Sequence, residues 1–179
     1  PDQAAAPARS DFAPPENESV ADTVARFRAM AQLGLNTEDR QFLDLILPGA
    51  DHTSPQVRYW AQIALGAVHN ELGIPAQLRG LGDPVKMVRE AARWGMRQTL
   101  LDDKGWDHIF AAYEVADDLT RESIAGALLM RADGVLSRTA AGYPRLANTL
   151  DRMMNKDPHP GVRAWSSRAA WNWWVWNPP

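Results

Sequence analysis

The chain has 179 residues, of which 45% are hydrophobic and 23% are charged, a composition typical of a globular domain with a sizeable core. Its formal net charge of -3 gives no overall attraction to nucleic acid or to an anionic membrane, and no apolar run approaches the ~20 residues of a membrane-spanning helix. The absence of cysteine excludes disulfides, thiolate metal sites and cysteine nucleophiles within this sequence, and it is compatible with either redox compartment.

Residues 1–17 carry four of the thirteen prolines, several alanines and almost no large apolar side chain. This composition predicts a flexible arm, so we place the folded domain at residues 18–179. The chain begins with Pro1-Asp2-Gln3 and shows neither an initiator methionine nor a signal-peptide pattern. We therefore expect a processed product or a piece of a longer polypeptide.

From residue 18 onward the spacing of the apolar residues is helical. Ser19 is a candidate N-cap for a first helix, which carries Val20, Val24 and Phe27 on one face and ends at Gly34. The remaining residues divide into four pairs of helices, and no run shows the alternation of a strand. The predicted pairs are Thr37 to Pro48 with Pro55 to Gly66, Leu72 to Leu81 with Lys86 to Leu101, Trp106 to Val115 with Leu119 to Ala132, and Tyr143 to Met154 with Gly161 to Trp174.

An arginine repeats near the start of the second helix of each pair. It occurs in the dipeptides Val57-Arg58, Val88-Arg89, Thr120-Arg121 and Val162-Arg163, and the successive spacings are 31, 32 and 42 residues. Internal repetition at this period indicates an array of stacked supersecondary units. The longer last spacing predicts an insertion near residues 133–142.

An aspartate in the turn precedes three of these arginines. A turn carboxylate can accept backbone N–H groups at the start of the second helix, and an arginine one turn further on can reach the turn acid of a neighbouring unit. We therefore predict an arginine ladder that joins the units. Its predicted members are Asp51, Arg58, Asp83, Arg89, Asp157 and Arg163. The third unit departs from the pattern, because Asp117-Asp118 lies only three or four residues before Arg121.

The combination of turn Asp, Pro, Val-Arg and Ala on paired helices resembles HEAT repeats over about residues 37–176. The resemblance implies an all-α solenoid of about four helical hairpins, whose second helices line a concave face. It also implies a protein that binds other macromolecules by shape. On this basis we expect a non-enzymatic scaffold for protein–protein interaction, as a subunit or segment of a larger bacterial assembly.

The C-terminal tail is the most apolar part of the chain. Trp171, Trp173, Trp174 and Trp176 lie on more than one side of a helix, so a single core layer cannot cover all four. We predict a docking surface for a protein partner or for continued polypeptide; the alternative is that part of the tail folds back on the last helix pair. The tail also resembles segments of large bacterial multidomain proteins with c-type cytochrome modules, although the sequence has no Cys-x-x-Cys-His for haem attachment.

Two further surfaces suggest alternative functions. Arg89, Arg93 and Arg97 follow at i, i+4 and i+8, which predicts a basic ridge on one helix face. HEAT-like DNA glycosylases bind phosphates with such a surface, so a DNA-binding enzyme is the alternative function, although the acidic chain argues against nucleic acid. Trp60 and Trp165 occupy equivalent positions two residues after a repeat arginine, and we expect inter-repeat packing there, with carbohydrate binding as the alternative.

The sequence contains no pattern that indicates a metal site, a cofactor or a catalytic residue. The four histidines show no ligand spacing such as His-x-x-x-His; they are His52, His69, His108 and His159. The paired acids at 102–103 and 117–118 are explained by helix capping. Neither a Gly-rich phosphate loop nor a Gly-x-Ser-x-Gly nucleophile motif is present. We therefore expect no catalytic residues, no metal and no cofactor.

Overall fold

A computed structural model describes residues 8–32, 40–68, 70–99, 103–132 and 143–176. Within these ranges the backbone forms nine α-helices and two short 3-10 helices, and it contains no strand, so the predicted all-α class is confirmed. The α-helices are α1 (Val20–Gln32), α2 (Arg40–Ala50), α3 (Pro55–Val68), α4 (Ile74–Leu81), α5 (Lys86–Gln98), α6 (Asp103–Val115), α7 (Asp118–Ala132), α8 (Tyr143–Lys156) and α9 (Pro160–Trp176). None of these helices combines the length and apolar character needed to cross a bilayer.

Local signals account for the starts of α1 and α3. The hydroxyl of Ser19 accepts the backbone N–H of Asp22 at 3.2 Å, as expected of an N-cap. Pro55 is the first residue of α3. A backbone N–H at this position has no partner within the helix, so a proline there costs no hydrogen bond. The predicted stop at Gly34, the predicted cap at Thr37 and the predicted insertion at 133–142 lie outside the described residues.

Several helix ends differ from the sequence prediction by two or three residues, and those of α2 and α5 show specific local contacts. Helix α2 continues through Pro48, which lies in its last turn, to Ala50. Gly49 is needed there, since a Cβ would lie 2.1 Å from the Phe27 ring. Helix α5 ends at Gln98 rather than residue 101, because Thr99 has extended backbone angles and its side chain is fixed by hydrogen bonds in the interior.

The odd-numbered helices form one row through the molecule. Helix α1 packs on α3, α3 on α5, α5 on α7, and α7 on α9. Each even-numbered helix packs on the odd-numbered helix that follows it in the chain, which gives the pairs α2–α3, α4–α5, α6–α7 and α8–α9. We call these pairs units 1 to 4. In each unit the repeat arginine lies in the first turns of the odd-numbered helix.

The apolar interior is divided into two cores. The N-terminal core comes from the segment before α1, from α1 to α3 and from Ala76. The C-terminal core comes from α4 to α9, and its large members are Ile74, Leu81, Met96, Ile109, Tyr113, Ile124, Leu128, Leu150 and Met153. Phe12 lies in the N-terminal core with its ring 5.9 Å from that of Phe42. Residues 8–17 of the predicted flexible arm are therefore anchored by one aromatic side chain, while residues 1–7 lie outside the described residues.

The two cores meet at α3 and α5 in a close, polar contact. A Cβ at Gly66 would lie 2.5 Å from the Cα of Gly95, and a Cβ at Gly95 would lie 2.9 Å from the carbonyl oxygen of Gln62, so this close approach of the two helices requires glycine at both positions. Three fully buried polar side chains surround this crossing. Gln62 donates to the carbonyl of residue 76 at 3.1 Å, and Gln77 donates to the Thr99 hydroxyl at 3.0 Å. The contact between the cores is thus specified by hydrogen bonds as well as by apolar packing.

Candidate functional site

Each repeat arginine is bound to the turn that precedes its own helix. The Nη1 atoms of Arg58, Arg89 and Arg163 donate to the carbonyl oxygens six and five residues earlier, at 2.7 to 3.1 Å. Arg121 makes only the second of these bonds, to Ala116 at 3.3 Å. The units therefore share a frame that begins six residues before the arginine. The first frame positions are His52, Asp83, Val115 and Asp157.

Asp83 joins unit 1 to unit 2. Its Oδ1 atom accepts the backbone N–H of Val85 at 2.8 Å, which holds the turn before α5. Arg58 of unit 1 donates from Nε to Oδ2 at 2.6 Å and from Nη2 to Oδ1 at 3.1 Å. These hydrogen bonds raise the pKa of the Arg58 guanidinium above its ordinary value. The bidentate pair is largely buried, and it couples α3 to the next turn along the chain.

The first frame position of unit 1 is occupied by histidine. The sequence predicts Asp51 as the acid here, but the carboxylate of Asp51 instead pairs with Arg79 of α4 on the exposed surface, at 2.9 Å. Asp51 lies one residue too early for the turn contact. His52 makes that contact, because its Nδ1 atom accepts the backbone N–H of Ser54 at 3.0 Å, which requires the neutral tautomer with the proton on Nε2. Unit 1 therefore presents no carboxylate at this position.

Unit 3 also lacks the acid. Val115 occupies the first frame position and is 86% exposed. In the described part of the chain, Arg89 of unit 2 consequently pairs with no carboxylate. Asp117 accepts the backbone N–H of Thr120 at 2.8 Å, and hydrogen bonds from this threonine lower the pKa of that carboxyl. The arginine ladder is therefore interrupted between units 2 and 3.

Unit 4 has the acid again, and a tyrosine shares it. Asp157 is buried, and its Oδ1 atom accepts the backbone N–H of His159 at 2.8 Å. The hydroxyl of Tyr113, from α6, donates to Oδ2 at 2.6 Å. Arg121 lies 3.4 Å from the same oxygen through its Nε atom, which is buried and makes no hydrogen bond. Burial, followed by the hydrogen bond to Asp157, raises the pKa of Tyr113 above its usual range.

A cleft of about 260 Å³ opens beside this tyrosine, between units 3 and 4. Arg121, Arg152 and Lys156 line it together with Glu114. Arg152 forms an ion pair with Glu114 on the exposed surface, and its guanidinium lies 5.3 Å from the centre of the Tyr113 ring. Lys156 is exposed at the end of α8 and forms no ion pair with another described residue. The cleft therefore brings three cationic side chains to one opening.

The predicted basic ridge on α5 is divided among different surroundings. Arg89 binds the turn carbonyls of its own unit. Arg93 has a side chain only 13% exposed, and it donates to Glu90 at 3.0 Å and to the Ser123 hydroxyl at 3.3 Å. The side chain of Arg97 is exposed, and it also interacts with another group of the protein. Regular spacing places these residues on one helix face, but packing against α7 removes the middle arginine from the surface.

The tryptophans two residues after the repeat arginines lie between helices and are partly buried. Trp60 of α3 lies beneath Arg28 of α1, with 5.7 Å between guanidinium and ring centre. Trp165 of α9 donates its indole N–H to Glu122 at 3.2 Å, and Arg93 lies 5.9 Å from its ring centre. Both rings therefore contact the helix that precedes their own in the row, as inter-repeat packing predicts.

The tryptophan tail continues the last helix. Trp171 is the residue of this group whose side chain is described, and it is 67% exposed on α9. The backbone of Trp173, Trp174 and Trp176 also lies in α9, while their side chains and residues 177–179 lie outside the described part. The exposed ring of Trp171 thus lies on the last helix of the row.

Titratable side chains do not gather into a metal site in the part of the chain that can be described, where no group of three or more His, Asp or Glu residues is placed to hold an ion. No protein-family model matches the chain, and no curated protein matches it significantly. The geometry of the units is therefore the basis for a functional proposal.

Proposed function

We propose that the chain is a HEAT-like solenoid of about four units that serves as a non-enzymatic scaffold for protein–protein interaction. The continuous row from α1 to α9 supports the solenoid arrangement, because each unit contacts mainly its neighbours. The shared frame supports it as well, since the same arginine binds the same two turn carbonyls in three units. Repeats of this kind can continue wherever the end of the row offers an uncovered face.

The observation that carries the scaffold proposal is the unfilled position at the end of the row. Arg163 makes the turn contacts of its own unit, yet it pairs with no carboxylate in the described part of the chain. Of the three equivalent arginines, Arg58 contacts Asp83 and Arg121 contacts Asp157 in the next unit. Arg89 has no such partner in the described part of the chain, because unit 3 lacks the acid. Helix α9 also leaves Trp171 exposed. Among the described residues, no acid pairs with Arg163, and the indole of Trp171 stays largely uncovered.

The chemistry of this end defines the partner that fits it. A helical unit with an aspartate or glutamate in its inter-helix turn would supply the missing carboxylate, and an apolar face beside it would cover the indole of Trp171. A second copy stacked head to tail would present α1, the first helix of the row, and Glu18 at the start of this helix is already paired with Arg26. We therefore propose a different protein, or further units of the same polypeptide, as the occupant.

Site-specific photocrosslinking in cells of the source organism tests this function. A photoreactive amino acid at position 171 should give a defined crosslinked product, whose mapped residue lies beside an acidic turn. Arg163→Gln should reduce that product, because it removes the proposed ionic contact. Arg168→Gln, an exposed change on the same helix, is the matched control and should leave the yield unchanged. No product at position 171, or equal loss in both variants, would show that α9 is not the docking surface.

The DNA-binding alternative has weaker support from the arrangement of the arginines. A phosphate-binding ridge needs several cations free to face one backbone. Arg93 is instead packed between α5 and α7, where it binds Glu90 and Ser123. We therefore do not propose an enzyme acting on DNA.

A further inference from the structure

The cleft between units 3 and 4 has features that the scaffold function does not explain. It is an opening of about 260 Å³, large enough for a group of several heavy atoms. Its rim carries the cations Arg121, Arg152 and Lys156 and the acids Glu114 and Asp157. The lining therefore has an excess of positive charge on a chain that is acidic overall.

Arg121 is bound less directly to the aspartate of the next unit than Arg58 is. Arg58 directs two donors to Asp83, at 2.6 and 3.1 Å. Arg121 lies 3.4 Å from Asp157 through an Nε atom that makes no hydrogen bond, and the Tyr113 hydroxyl donates to the same carboxylate oxygen. The second partner of Arg121, Asp118, lies on an exposed surface, where an ion pair contributes little.

The two cations of α8 reinforce this imbalance. Arg152 and Lys156 are one helical turn apart, so their side chains lie on the same face, and like charges at this spacing repel each other. Glu114 offsets the charge of Arg152 only through a surface pair in which both side chains are about half exposed. The negative end of the α8 dipole stabilises the charge of Lys156 in the last turn. Arg152 lies one turn earlier, where this stabilisation is weaker.

We propose that this cleft binds an oxyanion, namely the phosphate or carboxylate group of a small molecule. Arg152 and Lys156 would contact the anion from α8, and Arg121 would face it from α7. Arginine offers paired donors that match either group, and lysine adds a mobile point charge. The phenol of Tyr113 forms the wall of the cleft and keeps Asp157 occupied, which limits repulsion of the anion by that carboxylate. This site is independent of the docking surface on α9.

Amide NMR of the full chain, at pH 7 and fixed ionic strength, tests the proposal with inorganic phosphate and with citrate as separate probes. Either anion should produce saturable shifts confined to residues near 113–121 and 152–158. Saturation by phosphate alone would indicate a phosphate ligand, and saturation by citrate alone would indicate a carboxylate ligand. Saturation by both would support one site that binds either oxyanion. Shifts that grow linearly without saturation for both anions would overturn the proposal.

Variants at exposed positions make the same experiment specific. Arg152→Gln and Lys156→Gln should each raise the dissociation constant by about tenfold, as expected for loss of one charge-assisted contact. Both side chains are exposed, so the fold should be retained, and circular dichroism checks this. Arg145→Gln is the matched control, because Arg145 lies on the same helix but pairs with Asp107 away from the cleft. Equal weakening in the control would indicate general electrostatic attraction and contradict a defined site.

Discussion

The junction between units 1 and 2 and the junction between units 3 and 4 each contain one repeat arginine and one buried aspartate. In the first, Arg58 and Asp83 form a bidentate pair, in which the Nε and Nη2 atoms of the arginine each donate to one carboxylate oxygen. In the second, Arg121 stands 3.4 Å from Asp157, and the Tyr113 hydroxyl holds the carboxylate oxygen at 2.6 Å. The arginine and the aspartate therefore bind each other directly at one junction, and at the other they line an open cleft.

One difference between the two junctions lies in the helix that precedes the repeat arginine. Tyr113 lies eight residues before Arg121, and the residue eight positions before Arg58 is Ala50. Ala50 is buried and has no polar side-chain atom, whereas the phenol of Tyr113 donates a hydrogen bond to Asp157. The two junctions thus differ in whether a side chain from the preceding helix shares the buried aspartate.

The largest effect should come from breaking the tighter junction. Arg58→Ala should lower the free energy of unfolding by about 2–3 kcal/mol, because Asp83 is left buried without its cationic partner. Arg89→Ala should cost only about 1 kcal/mol, since Arg89 binds turn carbonyls but no carboxylate in the described structure. Urea unfolding followed by circular dichroism measures both. Equal losses would mean that the bidentate pair adds nothing to the turn contacts.

A smaller loss is expected at the junction that contains the tyrosine. Tyr113→Phe should lower the free energy of unfolding by about 1–1.5 kcal/mol, because Asp157 loses a short hydrogen bond to its charged group. Tyr59→Phe is the control, since the ring of Tyr59 packs edge-on against Trp60. Loss of the Tyr59 hydroxyl should change the free energy of unfolding by less than about 0.5 kcal/mol. Similar values for the two variants would contradict the role assigned to the Tyr113–Asp157 bond.

The same tyrosine predicts a pH dependence. The pKa of Tyr113 is raised in the folded protein, so its contribution to stability is fully present below the ordinary value of 10.0 and is lost as the pH rises from there toward the folded value. Between about pH 10 and 12, the wild type should therefore lose more unfolding free energy than Tyr113→Phe. Parallel curves for the two proteins in alkaline urea titrations would show that the phenol is not perturbed by folding.

The smallest effect should come from completing the interrupted ladder. Val115→Asp places an acid at the frame position where unit 3 has none, and Arg89 should gain a partner worth about 0.5 kcal/mol on this exposed surface. Val115→Asn gives the same shape without the charge and should show no gain. The stabilisation should also disappear when Val115→Asp is combined with Arg89→Ala, and its persistence there would assign the gain to another contact.

The sequence predicted the helical units because their signals are local. The repeated arginine, the turn prolines and the Ser19 cap act within a few residues, so spacing alone places them. The aspartates six residues before an arginine, Asp83 and Asp157, were found for the same reason. His52 was missed because a neutral imidazole can replace a carboxylate as an N–H acceptor, and a search for acids selects the adjacent Asp51 instead.

Contacts between distant helices could not be predicted in this way. Tyr113 meets Asp157 across 44 residues, and no repeat position marks it in advance. The spacing of Arg93 defined its helix face correctly, but only the packing of α7 shows that this face is covered. The buried side chains of Gln62 and Gln77, which follow from the close approach of Gly66 to Gly95, were likewise invisible to a pattern based on apolar residues.

A pair of double-mutant cycles measures the difference between the two junctions most directly. One cycle combines Arg58→Ala with Asp83→Ala, the other combines Arg121→Ala with Asp157→Ala, and urea unfolding gives each coupling energy. We expect a coupling of about 2 kcal/mol for Arg58 and Asp83 and of less than about 1 kcal/mol for Arg121 and Asp157. Equal couplings, or a coupling near zero for Arg58 and Asp83, would contradict an arginine ladder that is closed at the first junction and open at the last.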